Sequence, residues 1–64
     1  MEIFNIIHFL SYEFTVQIIK GTSVVFIGSV KELVNNEPEE IMNMKMFLIK
    51  PNETDGTILN IHVR

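Results

Sequence analysis

Between Glu2 and Ser11, the residues Ile3, Ile6, Ile7 and Leu10 share one side of a backbone turning about 100° per residue, and Glu2, Asn5 and His8 share the other. The pattern predicts an amphipathic helix. A strand competes for the same short, Ile- and Phe-rich run, but alternation would put Phe4, Ile6 and Leu10 beside Glu2 and His8. From Glu13 to Lys20 the period drops to two, with Phe14, Val16 and Ile18 on one face and Thr15, Gln17 and Ile19 on the other. Lys20, Gly21, Thr22 and Ser23 supply turn chemistry, and Val24 to Ile27 resumes the β-rich pattern, so the two strands read as a hairpin.

Gly28 interrupts that strand. Ser29, followed three residues later by Glu32, has the capping-box spacing that opens a helix. Val30, Leu33 and Val34 form its apolar stripe, Asn35 and Asn36 suit its end, and Pro38 prevents clean continuation. The segment Glu37 to Glu40 is expected on the surface, with room for one further helical turn. Met44, Met46 and Leu48 then alternate with Lys45, Phe47 and Ile49. After a turn from Pro51 to Gly56, Leu59, Ile61 and Val63 alternate with Ile58, Asn60 and His62, which gives a second hairpin. The expected fold is a single α+β domain over residues 1–64: a four-stranded antiparallel sheet made of two hairpins, an N-terminal helix, and a short helix between the hairpins.

Composition sharpens this picture. Of the 64 residues 47% are apolar, and they fall on both faces of the predicted strands, whereas a domain near this size buries only about 60% of the surface its unfolded chain exposes. Phe47, Ile49 and Ile58 are expected to project away from the face carrying Met44, Met46, Leu48, Leu59, Ile61 and Val63. Two apolar faces need two covers: either one helix on each, or another molecule on one of them. Cysteine is absent, which excludes disulfides as a staple and leaves self-association as the expected remedy for a small core.

Charge and motifs mostly exclude. Eight acidic residues against five basic ones give a net charge of −3, which offers no attraction to nucleic acid or to an anionic membrane surface. The apolar stretch from Ile3 to Leu10 is broken by Asn5 and His8 and is neither a signal peptide nor a membrane span; with no cysteine, a reducing cytoplasm is expected. The sequon Asn52-Glu53-Thr54 reads as an ordinary turn. His8 and His62 are the only histidines, and no local spacing brings them to Glu2 or Glu13 as a metal site. Ser23, His62 and Asp55 make a catalytic triplet only on paper, and Gly21 and Gly28 match no phosphate-binding loop. No catalytic residue, metal ligand or cofactor site is expected. Met42, Met44 and Met46, like Phe14 and Phe26, read as core filler, with Tyr12 at its margin.

The segment Val25–Leu33, VFIGSVKEL, resembles one found in small uncharacterised proteins carried by phages and integrative elements of Gram-positive bacteria. In those proteins a short N-terminal helix precedes a hairpin, the second strand ends in a similar Gly-Ser-Val-Lys-Glu-Leu segment, and two more strands follow. This chain departs from them in having Lys20-Gly21-Thr22-Ser23 in place of an acidic turn, and a longer acidic segment after the short helix. The resemblance implies a mobile-element origin in a bacterial cytoplasm and carries over no catalytic residue.

The expected function is therefore that of a non-enzymatic protein-interaction module, self-associating and engaging a host protein. Phe47, Ile49 and Ile58 would anchor its interface, and Glu37, Glu39 and Glu40 would form a charged rim. The alternative is capture of a small metabolite or nucleotide between subunits by Thr15, Gln17, Asn60 and His62.

Overall fold

The computed structural model describes residues 1–64. It contains α1 (Ile3–Ile7), β1 (Thr15–Lys20), β2 (Ser23–Ser29), α2 (Val30–Asn36), α3 (Glu39–Met42), β3 (Met46–Pro51) and β4 (Ile58–Val63). Helix α1 is shorter than its apolar stripe predicts. After Ile7 the chain tightens into turns in which Phe9 N–H donates to Ile6 O at 2.9 Å and Leu10 N–H to Ile7 O at 3.3 Å. The stripe itself is where expected, with Ile3 and Ile7 buried and Ile6 and Leu10 packed against the same cluster.

Ser29 caps α2 as the spacing predicts, its Oγ accepting the Glu32 N–H at 3.1 Å. The reciprocal half of the box differs. The Ser29 hydroxyl, not its backbone N–H, donates to the Glu32 carboxylate, at 3.4 Å. Helix α2 stops at Glu37, whose backbone is left-handed (φ 41°, ψ 55°) and whose N–H reaches back to Leu33 O at 2.9 Å. Pro38 then starts α3, the further helical turn expected in this segment.

Both hairpins form. Gly21, at φ 64°, sits in the two-residue connection of β1 and β2, where a side chain would be strained. The sheet they build is mixed, however, not antiparallel throughout: the strand order is β2-β1-β4-β3, and the central pair β1 and β4 run parallel. The reason is packing. Val16 and Ile18 on β1 and Ile61 and Val63 on β4 are the strands' most deeply buried residues, so these two strands take the middle. The connection through α2 and α3 must therefore cross the helix layer from the β2 edge to the β3 edge, and β4 turns back inward between β3 and β1.

A single core results. Ile3 and Ile7 of α1, Val30 and Leu33 of α2 and Met42 of α3 pack with Val16, Ile18, Ile61 and Val63 in one cluster. All three helices thus lie on the same side of the sheet. Of the two alternatives for covering the sheet, one helix on each face is not the one that forms: all three helices lie over one face and none over the other.

Candidate functional site: the uncovered sheet face

Cross-strand register defines the open face, because residues directly opposite one another project to the same side. Thr15 pairs with Ile58, Gln17 with Asn60 and Ile19 with His62. Outward from these, Gln17 pairs with Ile27 and Ile19 with Val24 on β2, while His62 pairs with Leu48 and Asn60 with Lys50 on β3. The outcome is a polar centre between apolar flanks. Val24 is 49% exposed, Ile27 58%, Phe47 54% and Leu48 43%, and Ile19 and Ile58 are half-buried.

Two β-bulges set which residues reach this face. One lies in β2 at Val25, where the register with β1 shifts between Ile18 and Ile19, and the other lies in β3 at Phe47. Strict alternation places Ile49 with Phe47 and Ile58, and Leu48 with Met46. The extra residue reverses this, so Leu48 lies opposite His62 on the open face and Ile49 lies opposite Ile61 on the helix side. Of the expected anchors Phe47, Ile49 and Ile58, the first and third lie on the open face, at opposite ends of β4, and Ile49, 37% exposed, turns to the helix side.

At the Phe47 corner the aromatic ring meets the His62 ring at a centroid distance of 6.2 Å, and the Arg64 guanidinium lies 5.3 Å from the Phe47 centroid, within cation–π range. His62 Nε2 is shut off from solvent and has no hydrogen-bond partner.

The centre is organised by a residue that alternation did not single out. Asn52, just beyond β3, donates from Nδ2 to Asn60 Oδ1 at 3.2 Å and to Gln17 Oε1 at 3.4 Å. Its own Oδ1 accepts from Thr54 N–H at 2.9 Å and Asp55 N–H at 3.1 Å, so the segment forms the turn expected of it, of Asx type. Asp55 in turn accepts from Thr57 Oγ1 at 2.6 Å and Thr57 N–H at 2.9 Å. These bonds hold its carboxyl below the ordinary aspartate value. The amide oxygens of Gln17 and Asn60 are thus occupied by Asn52, while their NH₂ groups make no bond within the chain. In the sequence Asn52 and Asn60 stand on the two sides of the Pro51–Gly56 turn, whereas the approach of Gln17 from β1, 35 residues away, leaves no local signal.

The acidic residues lie elsewhere. Glu37 and Glu39 border a shallow depression with Phe4, Met42 and Asn43, and Glu40 follows on α3; all belong to the helix layer. They do not rim the face carrying Phe47 and Ile58, and that part of the expected interface is corrected. A second exposed aromatic group sits on the helix side. Phe9 is 87% exposed, and the Phe4 ring meets His8 edge-on at 5.6 Å. Phe4 and His8 stand four residues apart, one helical turn, on the side of α1 away from the buried Ile3 and Ile7.

No group of three or more His, Cys, Asp or Glu side chains could hold a metal ion, and no helix is long and apolar enough to cross a membrane. Compared with protein-family models, with curated proteins and with solved structures, the chain matches none of them.

Proposed function

We propose that this chain works by binding, as a protein-interaction module without chemistry of its own, and that its contact surface is the uncovered face of the sheet. The observation that supports this reading is the one-sided placement of α1, α2 and α3, which leaves Val24, Ile27, Phe47 and Leu48 without a cover. Six-residue strands about 20 Å long, four abreast at about 4.8 Å, present roughly 400 Å² in projection. Part of that area is apolar, in two flanks either side of the polar centre, Val24 and Ile27 on one and Phe47 and Leu48 on the other, and exposed apolar residues grouped in this way mark contact sites on small soluble proteins. The free NH₂ groups of Gln17 and Asn60 offer donors at the centre of the face, which suits a flat partner surface carrying carbonyl or carboxylate oxygens there.

The cytoplasmic mobile-element setting implied by Val25–Leu33 would make a host protein the partner. Capture experiments with wild type, Phe47→Asp, Ile27→Asp and Glu39→Lys separate the two sides of the molecule. Loss of a specific partner with Phe47→Asp and Ile27→Asp, but not with Glu39→Lys, supports the reading. A partner retained by both face variants, or a chain that stays monomeric, highly soluble and unbound throughout, overturns it.

A second reading draws on the amide row. Thr15, Gln17, Asn60 and His62, expected from the sequence as ligand contacts, do share this face, and Asn52 links two of them, Gln17 and Asn60. A small ligand needs a concave site, however, and a bare sheet face supplies only one wall. Native mass spectrometry of the purified protein decides between them: a stoichiometric small molecule lost on Asn60→Leu supports ligand capture.

A further inference from the structure

The two edges of the sheet are treated differently. The outer side of the first β3 residues is occupied by the N-terminal segment, with Met46 N–H donating to Met1 O at 2.8 Å, Ile3 N–H to Met44 O at 2.9 Å, and Glu2 bridged to Lys45. Further along β3 come the bulge at Phe47, the charge of Lys50, and Pro51, which has no N–H to offer. Each of these is a known means of keeping another strand from adding to an edge. On β2 only the bulge at Val25 serves that purpose. Ser23–Ser29 contains no charged residue and no proline, and no backbone hydrogen bond outside the β1 ladder reaches it.

We infer that β2 is a self-pairing edge: two copies of this chain join β2 to β2 in antiparallel fashion about a two-fold axis normal to the sheet, forming one continuous eight-stranded sheet. Pairing at this edge does not depend on a partner at the open face. Antiparallel pairing of a strand with its own copy is self-complementary, each outward N–H meeting a C=O of the same segment. Charge favours it as well. Two chains of net charge −3 repel, but the seven residues that meet carry none of that charge. With those seven residues in full register, Val25 of each copy lies opposite Ile27 of the other, and both are exposed along this edge. A two-fold normal to the sheet also leaves both open faces on the same side, merging them into one surface of roughly 800 Å² in projection.

The test is sedimentation velocity on wild type, Val25→Lys and Phe47→Asp over about a hundredfold range of micromolar concentration, where small interfaces dissociate. It is joined to NMR on a mixture of two differently labelled wild-type populations, in which only contacts between chains are seen. The expected result is a dimer with inter-chain contacts confined to residues 24–28. Phe47→Asp should leave it intact, and Val25→Lys should weaken it by at least roughly tenfold. A monomer at every concentration overturns the inference, as does a dimer whose inter-chain contacts fall at Phe47 and Leu48 or on the helix layer. A foreign strand bound to β2 in place of a second copy overturns the choice of partner. Failure of this test leaves the Phe47→Asp capture result untouched, so the two proposals fall separately.

Discussion

Truncating matched isoleucines on opposite sides of the sheet should have unequal effects, and the inequality tests the one-sided helix layer directly. Ile61, at the centre of β4, is fully buried and in register with Ile18 on one side and Ile49 on the other, whereas Ile27 on β2 is 58% exposed on the open face. Ile→Ala removes three carbons, worth about 0.8 kcal/mol each on full burial. At Ile61 a cavity penalty adds to this, giving a loss of about 3 kcal/mol within the usual range for such changes. At Ile27 well under half of the transfer term applies and no cavity forms, so the loss should be about 1 kcal/mol or less.

A domain of this size has only roughly 3–10 kcal/mol of stability. Ile61→Val, at about 1 kcal/mol, therefore serves as a milder companion should Ile61→Ala fail to fold. Urea unfolding followed by far-UV circular dichroism is the suitable assay, since the chain has no tryptophan and its one tyrosine, Tyr12, is exposed. With a slope near 1 kcal/mol per molar urea for so small a protein, the two variants should differ in midpoint by about 2 M. Equal losses at Ile27 and Ile61, measured at low micromolar protein, would refute the reasoning, because they would mean that the open face is packed within a single chain.

Three further outcomes follow from local geometry. Ser29→Ala removes the acceptor of the Glu32 N–H and should cost about 1 kcal/mol, read as a lower urea midpoint with an unchanged slope. Glu37→Gly relieves a left-handed backbone at a helix end and should gain about 0.5 kcal/mol after glycine's entropic penalty, a rise of a few degrees in Tm. Asp55, held below its ordinary pKa by the Thr57 hydroxyl and then by the Thr57 N–H, is stabilising at pH above the unfolded aspartate value of about 4. That contribution is lost as pH falls through the lower folded value. Carboxyl-carbon NMR titration should show Asp55 protonating below an unstructured aspartate, and Thr57→Val should move it back up.

Local periodicity carried most of the elements. The helical stripe of α1, the Ser29 cap, the turn at Gly21 and the second hairpin all depend on residues within a few positions of one another. What it did not carry was long-range or depended on a single inserted residue. Hairpin reasoning pairs neighbours in sequence, so it returns an antiparallel sheet and has no means of showing that β4 would lie beside β1. That choice is made by Val16, Ile18, Ile61 and Val63 competing for the helix layer. Alternation likewise cannot register a bulge, and one extra residue at Phe47 exchanged the faces of Leu48 and Ile49. For the candidate site, excess apolar surface on the strands was readable, whereas its location on one face, its amide centre around Asn52 and its separation from the Glu37–Glu40 segment required three dimensions.

The placement of β4 between β1 and β3 has a consequence for how the chain acquires its shape. The strand that arrives last in sequence must occupy the middle seam, and its contacts with β1 join residues 15–20 to residues 58–63. Closing so long a loop before the seam gives any return slows folding relative to a simple chain of hairpins. Until that happens, the first hairpin has an unprotected inner side as well as an unprotected outer one. A nascent or partly unfolded copy is accordingly most prone to aggregate through residues 15–29, and charged substitutions at the exposed Val24 and Val25 should improve recovery from dilute refolding more than equal substitutions at the exposed Phe47 and Leu48.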